Sequence, residues 1–346
     1  MLKIGLDVGN GSIVMAVNDG NAMKTRVLAS TFGVADREVI SVVGGNNPYQ
    51  AYKLSNGTTY ALGYEAVKSY HADFLDSYSR DNRYESESFK LMNHLALLEA
   101  TTMMTKSKVI EVELELGVPA EYFRKDTVNT LRSWFASPLA AEVNGETVVL
   151  MVRKTEVISQ PIAVFLDAYY ADDGLVRDEK LISQDVLIID GGSGTLDLAH
   201  LRGGAVVKQS SEAVGINDVY AKVISEIRKL HPTFRIDPIR LEAQLRAQDA
   251  QATKIVAGGH FSVDVTKMLQ TATEEVWTRT KNAIQRQFPA VDQFERILLA
   301  GGSAGGAFEN HFRSWNPFVT VVDRPQESIA RGLCKHLMAA EVATHV

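Results

Sequence analysis

Two stretches decide the fold, Lys3-Ile-Gly-Leu-Asp-Val-Gly-Asn-Gly-Ser12 and Ile188-Ile-Asp-Gly-Gly-Ser-Gly-Thr-Leu-Asp197. Each runs as an apolar strand into an aspartate and reverses through a turn rich in glycine. Each then leaves as a second strand, Ile13–Val17 in the first case and Leu196–Leu201 in the other. Glycine lets backbone N–H groups approach phosphate oxygens closely and permits positive φ. The hydroxyls of Ser12, Ser193 and Thr195 add donors. Asp7 and Asp190 offer hard oxygens to Mg²⁺, which keeps most of its water and is usually held through it. Either turn alone reads as an ordinary hairpin. At corresponding places in two halves of one chain, the pair reads as the two sides of a phosphate site.

Outward from the first turn, Asn18-Asp-Gly-Asn21 reverses the chain again, and residues 34–70 are polar with a hairpin expected at Asn56-Gly57. Asn-Gly favours such a turn because both central residues take positive φ. Ser86–Met104 carries Phe89, Met92, Leu95, Ala96 and Met103 at helical spacing. Val109–Leu116 alternates apolar residues with Glu111, Glu113 and Glu115, the pattern of a half-buried strand. A helix is expected over Asp126–Phe135, a hairpin over Glu142–Val152 around Asn144-Gly145, and a buried helix over Gln160–Tyr170 with Pro161 in its first turn. Beyond the second turn, Ala205–Gln209 reads as a strand. Ile216–Leu230, Ile239–Ala250, Thr271–Arg286 and Ser328–Ala340 read as helices. Ile297–Ala300 is a strand entering a third glycine cluster, Gly301-Gly-Ser-Ala-Gly-Gly306. Such backbone lies flat against a base or ribose, or forms a plain strand-to-helix loop.

Composition removes other classes. The 346 residues suit two domains, and 45% hydrophobic content supplies a core. A net charge of −6 argues against direct binding of naked nucleic acid. The single cysteine, Cys334, forbids an internal disulfide and fits a reducing, cytoplasmic setting. No apolar run approaches the ~20 residues of a membrane span. The eight histidines are scattered without an HExxH pair, so zinc is not expected. There is no GxxxxGK[ST]. The second turn lacks the third glycine of GxGxxG and enters a strand, which disfavours a Rossmann site.

Together the three glycine-rich stretches resemble the actin-like ATPase superfamily, with Asp7–Ser12 as its first phosphate motif, Asp190–Asp197 as its second and Gly301–Ala304 as its adenosine motif. Gln160–Ala168 resembles its first connecting helix and Glu327–Gly332 the second. Leu116-Gly-Val-Pro-Ala-Glu-Tyr-Phe123, the hairpin at Asn144-Gly145 and Ile188–Asp197 are similar to plasmid-segregation actins of the ParM/StbA kind.

The resemblance implies an α/β, actin-like fold: two similar lobes, each a mixed β-sheet with flanking helices, and nucleotide in the cleft. Residues 1–158 with 331–346 would form one lobe, with a small insert at about 34–85. Residues 159–330 would form the other, with a helical insert at about 215–290. The implied cofactors are ATP (or GTP) and Mg. Gly9, Asn10, Gly11, Ser12, Gly191, Gly192, Ser193, Gly194, Thr195, Gly215, Gly301, Gly302 and Ser303 would bind nucleotide, and Asp7 and Asp190 would hold the metal. Asp190 is also expected in catalysis, beside Gln160, which takes the water-orienting position or is simply a polar residue opening a helix. Asp197 would assist, or is an alternating strand residue. Arg279 and Lys281 are candidates beside the purine, or part of a solvated basic face. Several actins carry a Lys shortly after the first turn, where this chain has Val14.

The implied function is a head-to-tail filament that partitions plasmid DNA through a small DNA-binding adaptor. The chain itself would touch neither nucleic acid nor membrane. A small-molecule kinase of the same superfamily, or a membrane-associated division or pilus-assembly actin, are the alternatives. The kinase would need a second acceptor pocket, and the membrane actin a terminal amphipathic anchor.

Overall fold

The computed structural model describes residues 1–35, 49–70, 73–75, 83–247, 254–257, 261–304 and 308–344. The chain opens with the antiparallel strands β1 (Leu2–Val8), β2 (Ser12–Asn18) and β3 (Met23–Ala29). Four short strands follow: β4 (Phe32–Val34), β5 (Ala51–Leu54), β6 (Thr59–Leu62) and β7 (Asp73–Leu75), with helix α1 (Tyr64–Ser69) before the last. Helix α2 (Glu87–Thr102) is capped by Ser86, whose hydroxyl accepts from the Phe89 N–H at 3.4 Å. Then come β8 (Val109–Val118), α3 (Lys125–Trp134), β9 (Leu139–Val143) and β10 (Glu146–Ser159). These ten strands form one mixed sheet in the order β3-β2-β1-β8-β10-β9-β5-β6-β4-β7.

The chain passes directly from β10 into α4 (Gln160–Tyr169), with Pro161 in its first turn as expected. The second sheet contains β11 (Asp185–Gly191), β12 (Leu196–Arg202) and β13 (Ala205–Glu212). Helices α5 (Ile216–Leu230) and α6 (Pro238–Ala247), the hairpin β14 (Lys254–Ala257) with β15 (Phe261–Asp264), and α7 (Thr266–Gln287) follow. β16 (Arg296–Ala300), α8 (Glu309–Trp315), β17 (Val319–Val321) and α9 (Ser328–Thr344) complete the chain.

The five-stranded sheet has the order β13-β12-β11-β16-β17. It repeats the order and directions of β3-β2-β1-β8-β10: two antiparallel pairings followed by two parallel ones. The repeat glimpsed in the two opening turns is therefore a repeat of whole sheets. Each has its own core. One gathers Ile4, Leu6, Met92, Leu95 and Leu114; the other gathers Leu187, Leu198, Val223, Val276 and Leu299.

Two helices join them. α4 leaves the first sheet and buries Ala163 and Val164 against Val186 and Ile188 of the second. α9 returns from the second sheet and places Ala330 and Cys334 against Val14 and Ala16 of the first. They cross in direct contact, because a side chain at Gly332 would meet the Ala163 carbonyl oxygen at 1.8 Å. The crossing buries charge. Lys335 Nζ lies 2.8 Å from Asp167 Oδ1, and Arg331 Nε lies 3.4 Å from the same oxygen. Burial pushes the Asp167 carboxyl up, and Lys335 and Arg331 hold it down.

Two expectations need correction. Glu115 does not face solvent with its neighbours in the alternating strand. It is fully buried, and His336 Nδ1 of α9 reaches its carboxylate at 2.9 Å. A helix packed on the strand's second face removed the solvent that the alternation implied. At the Asn56-Gly57 turn only Gly57 is left-handed, at φ 80°, whereas at Asn144-Gly145 both residues are, at 50° and 91°. The first turn spans four residues between its strands, and that extra length relieves Asn56 of the constraint. Cys334 is buried in α9, and its thiol is pushed up to about 12 by burial. Residues 248–250 of the helix expected over Ile239–Ala250, and Gly305 and Gly306, lie outside the described residues.

Candidate functional site

The two glycine hairpins close identically. Gly9 N–H donates to the Ser12 carbonyl at 2.9 Å, and Gly192 N–H donates to the Thr195 carbonyl at 2.9 Å. Asp7 pairs across its ladder with Val14, and Asp190 with Asp197. Val14 is thus the counterpart, in the first hairpin, of Asp197 in the second.

The hairpins meet. A side chain at Gly11 would strike Ser193 Oγ at 2.2 Å, and one at Gly191 would strike Ser303 Oγ at 2.6 Å. Left-handed backbone, expected for these glycines, is absent at Gly9, Gly11, Gly191 and Gly192. Their missing side chains serve close approach instead. Gly301 does take positive φ, at 85°, and its backbone lies against the Asp190 carboxylate.

Between the hairpins is a cavity of about 50 Å³. Asp7 and Gly9 to Ser12 form one side, Asp190 and Gly192 to Thr195 the other. Gln160 enters from the first turn of α4, and Gly301 and Gly302 follow the end of β16. Gln160 Nε2 donates to Asp7 Oδ1 at 2.7 Å, which leaves its amide oxygen as an acceptor. Thirteen of the expected site residues therefore line one space.

Four do not line it, and they hold together the loops that do. The carboxylate of Asp197 accepts from Ala120 N–H at 2.8 Å, from Thr195 Oγ1 at 2.9 Å and from Ser211 Oγ. It ties the second hairpin to the turn after β8. Ser303 is buried, and its Oγ donates to the Gly191 carbonyl at 2.5 Å, fixing the third glycine loop to the second hairpin. Gly191 is that anchor. Gly215 packs on the back of the Gly192–Ser193 backbone, where Asn217 N–H donates to the Ser193 carbonyl at 2.9 Å. Arg279 faces Asp218 at 3.5 Å, and neither it nor Lys281 borders the cavity.

Asp7, Asp190 and Asp197 are all buried, and burial is the largest cause of the upward shift in each. Asp7 is pushed up to about 6, with Gln160 and Arg83 pulling the other way. Asp190 is raised well above the usual carboxylate range, and the charges of Asp197 and Asp7 add to the effect of burial. Its Oδ1 is buried without a hydrogen-bond partner. A buried, unpartnered carboxylate oxygen beside a second acid is costly unless a cation neutralises it. Among the described residues no group of three or more His, Cys, Asp or Glu side chains forms a direct metal cage. The donor set present on the cavity is the two carboxylates of Asp7 and Asp190, hard oxygens that fit a hydrated Mg²⁺ rather than zinc.

The sequence reading missed Arg83. It borders the cavity from the segment just before α2. Its Nη1 donates to Asn10 Oδ1 and its Nη2 to the Val8 carbonyl, each at 2.6 Å. No local pattern marks it, because its partners are distant in sequence.

Residues 5–162 match the family described as actin like proteins, N-terminal domain. The chain has an actin-like fold. Similar folds include the ParM protein of pSK41, at 17% identity over 99% of this chain and 98% of that one, with a TM-score of 0.73. The archaeal actin homolog Ta0583 is 17% identical over 100% of both chains, with a TM-score of 0.75. A Clostridium botulinum ParM, solved as a 15-stranded filament, is 16% identical over 100% of this chain and 99% of that one, with a TM-score of 0.76. No curated protein matches the chain in sequence. In this actin-like chain the repeated five-strand cores set the two hairpins face to face, and α4 and α9 bridge them. Among the described residues, no helix is long and apolar enough to cross a membrane.

Proposed function

We propose that this actin-like chain binds ATP–Mg²⁺ between its hairpins, hydrolyses it in the cytoplasm and assembles head to tail into filaments. The observation that carries the reading is the convergence of Asp7, Asp190 and Gln160 on one glycine-walled cavity. Mg²⁺ would supply charge neutralisation for the β- and γ-phosphates. Asp7 and Asp190 would hold the metal through its waters, and the hairpin amides and hydroxyls would take the phosphate oxygens. Asp7 holds the Gln160 amide so that its oxygen accepts a hydrogen bond from the attacking water. Phosphoryl transfer through a loose transition state asks for positioning more than for a strong base. Gly301 and Gly302 present flat backbone to the nucleoside. Asp197 acts as a positioning residue.

The cavity of about 50 Å³ is far below the roughly 300–1,000 Å³ of ordinary ligand pockets. Nucleotide binding must therefore part Gly11 from Ser193, turning the two halves about α4 and α9. A ligand that changes the angle between halves changes the fit of any surface spanning both. Head-to-tail contacts of that kind do not close and so give filaments. An ADP complex of the archaeal homolog and the filament of the Clostridium botulinum ParM support both parts of the reading. With a net charge of −6, a small basic adaptor is the suitable link to plasmid DNA.

Light scattering with ATP and Mg²⁺ tests this. A rise that decays as phosphate is released supports the filament. Flat scattering at high protein concentration, with ADP release stimulated by a sugar, overturns it in favour of a kinase.

A further inference from the structure

Resting on the nucleotide reading, we infer that Arg83 is the cation that grips the phosphate chain beyond the α-phosphate, in place of the lysine missing at Val14. Val14 borders the same cavity, but as an apolar side chain that offers phosphate no charge. It is buried in β2 against Ala330 and Cys334 of α9, where an ammonium would be desolvated. Arg83 is the only cationic side chain among the described residues bordering the cavity. That cavity already holds the buried acids Asp7 and Asp190. A nucleotide adds three to four negative charges there, more than one Mg²⁺ offsets.

The Arg83 guanidinium is pre-positioned. It stacks over the Phe89 ring with its carbon 4.0 Å from the centroid, and two of its nitrogens are anchored on the first hairpin at Val8 and Asn10. Planar stacking plus a fixed fork of donors is how Arg, and not Lys, recognises phosphate. The anchors also place the charge on the hairpin that moves with the first sheet. Closure onto a phosphate chain would therefore be sensed by the segment leading into α2. Asn10 adds to this: with its amide oxygen taken by Arg83, its Nδ2 remains a donor beside the cavity.

The test is calorimetric binding of Mg–ATP, Mg–ADP and AMP to the full chain and to Arg83→Ala, Arg83→Gln and Arg83→Lys. The expected result is a roughly 10- to 100-fold loss of ATP and ADP affinity in the Ala and Gln variants. AMP affinity should change less than about threefold, and Arg83→Lys should be intermediate. Equal losses for all three ligands make Arg83 a brace of the hairpin and overturn the inference. So does unchanged ATP affinity in Arg83→Ala while the wild type binds tightly. If the wild type binds none of the three, the nucleotide reading itself falls, and the role of Arg83 falls with it. Arg83→Lys keeps the charge, so it remains informative should the neutral variants unfold.

Discussion

Gln160 Nε2 donates to Asp7 Oδ1 at 2.7 Å, joining residues from opposite ends of the first sheet's sequence. One carboxylate thereby does two things. In the proposed site it would face the metal, and it fixes the rotamer of Gln160, the side chain proposed to orient water. The contact also links the first hairpin to α4, the helix that carries the chain toward the second sheet.

Removing that amide should slow chemistry without loosening the nucleotide. Gln160→Ala is expected to lower ATP turnover by about 10²-fold, the scale set by mispositioning a reactant. Nucleotide affinity should stay within about threefold. Single-turnover phosphate release alongside equilibrium binding separates the two. A large affinity loss with normal turnover would remove Gln160 from the hydrolytic step.

Asp190 predicts a gain of stability from an inactivating change. Its buried Oδ1 has no partner, and its neighbours Asp7 and Asp197 repel its charge. In metal-free protein, Asp190→Asn should raise stability by about 1–3 kcal/mol. Denaturant unfolding in EDTA measures it. A destabilised variant would show that the charge at Asp190 is already satisfied by the protein alone.

Asp7 sets a pH dependence whose sign is opposite to that of an ordinary paired carboxylate. Burial raises it to about 6 in the folded chain, while the unfolded value stays near ~4. Between those values the folded state binds more protons, so metal-free stability falls as pH rises through the window. Two units correspond to about 3 kcal/mol, absent below both values and complete above about pH 6. Asp7→Asn should flatten that part of the profile. Equal slopes in wild type and variant would contradict it.

The helix crossing rests on a buried ion cluster. Lys335 is fully buried, and its Nζ meets both the Asp167 carboxylate and the Asp167 carbonyl, the latter at 3.0 Å. Lys335→Met leaves Asp167 with Arg331 alone and should cost about 3–5 kcal/mol. Chemical denaturation reads this directly. A cost below ~1 kcal/mol would mean that Arg331 suffices.

What could be read in the sequence was what is local. The paired hairpins, the start of α4 at Gln160-Pro161 and the Asn144-Gly145 turn each announce themselves within a few residues. The short strands β4, β7 and β17 carry too few residues for a period to register. The burial of Glu115 depends on α9, more than two hundred residues away, as does the packing of Gly5 against Ala330. Arg83 is the same case at the site. Its placement depends on Asn10, Val8 and Phe89, and only Phe89 is near it in sequence. Asp197 and Ser303 were placed in the right neighbourhood by their motifs, but only tertiary geometry separates lining from bracing.

The central claim is that the two aspartates form a magnesium–nucleotide site. Calorimetric titration of ATP into wild type and Asp190→Asn, each with Mg²⁺ and with EDTA, tests it most directly. The account predicts wild-type binding that tightens at least tenfold with Mg²⁺, and an Asp190→Asn chain that stays folded and gains nothing from the metal. Equal magnesium dependence in the two proteins would contradict it.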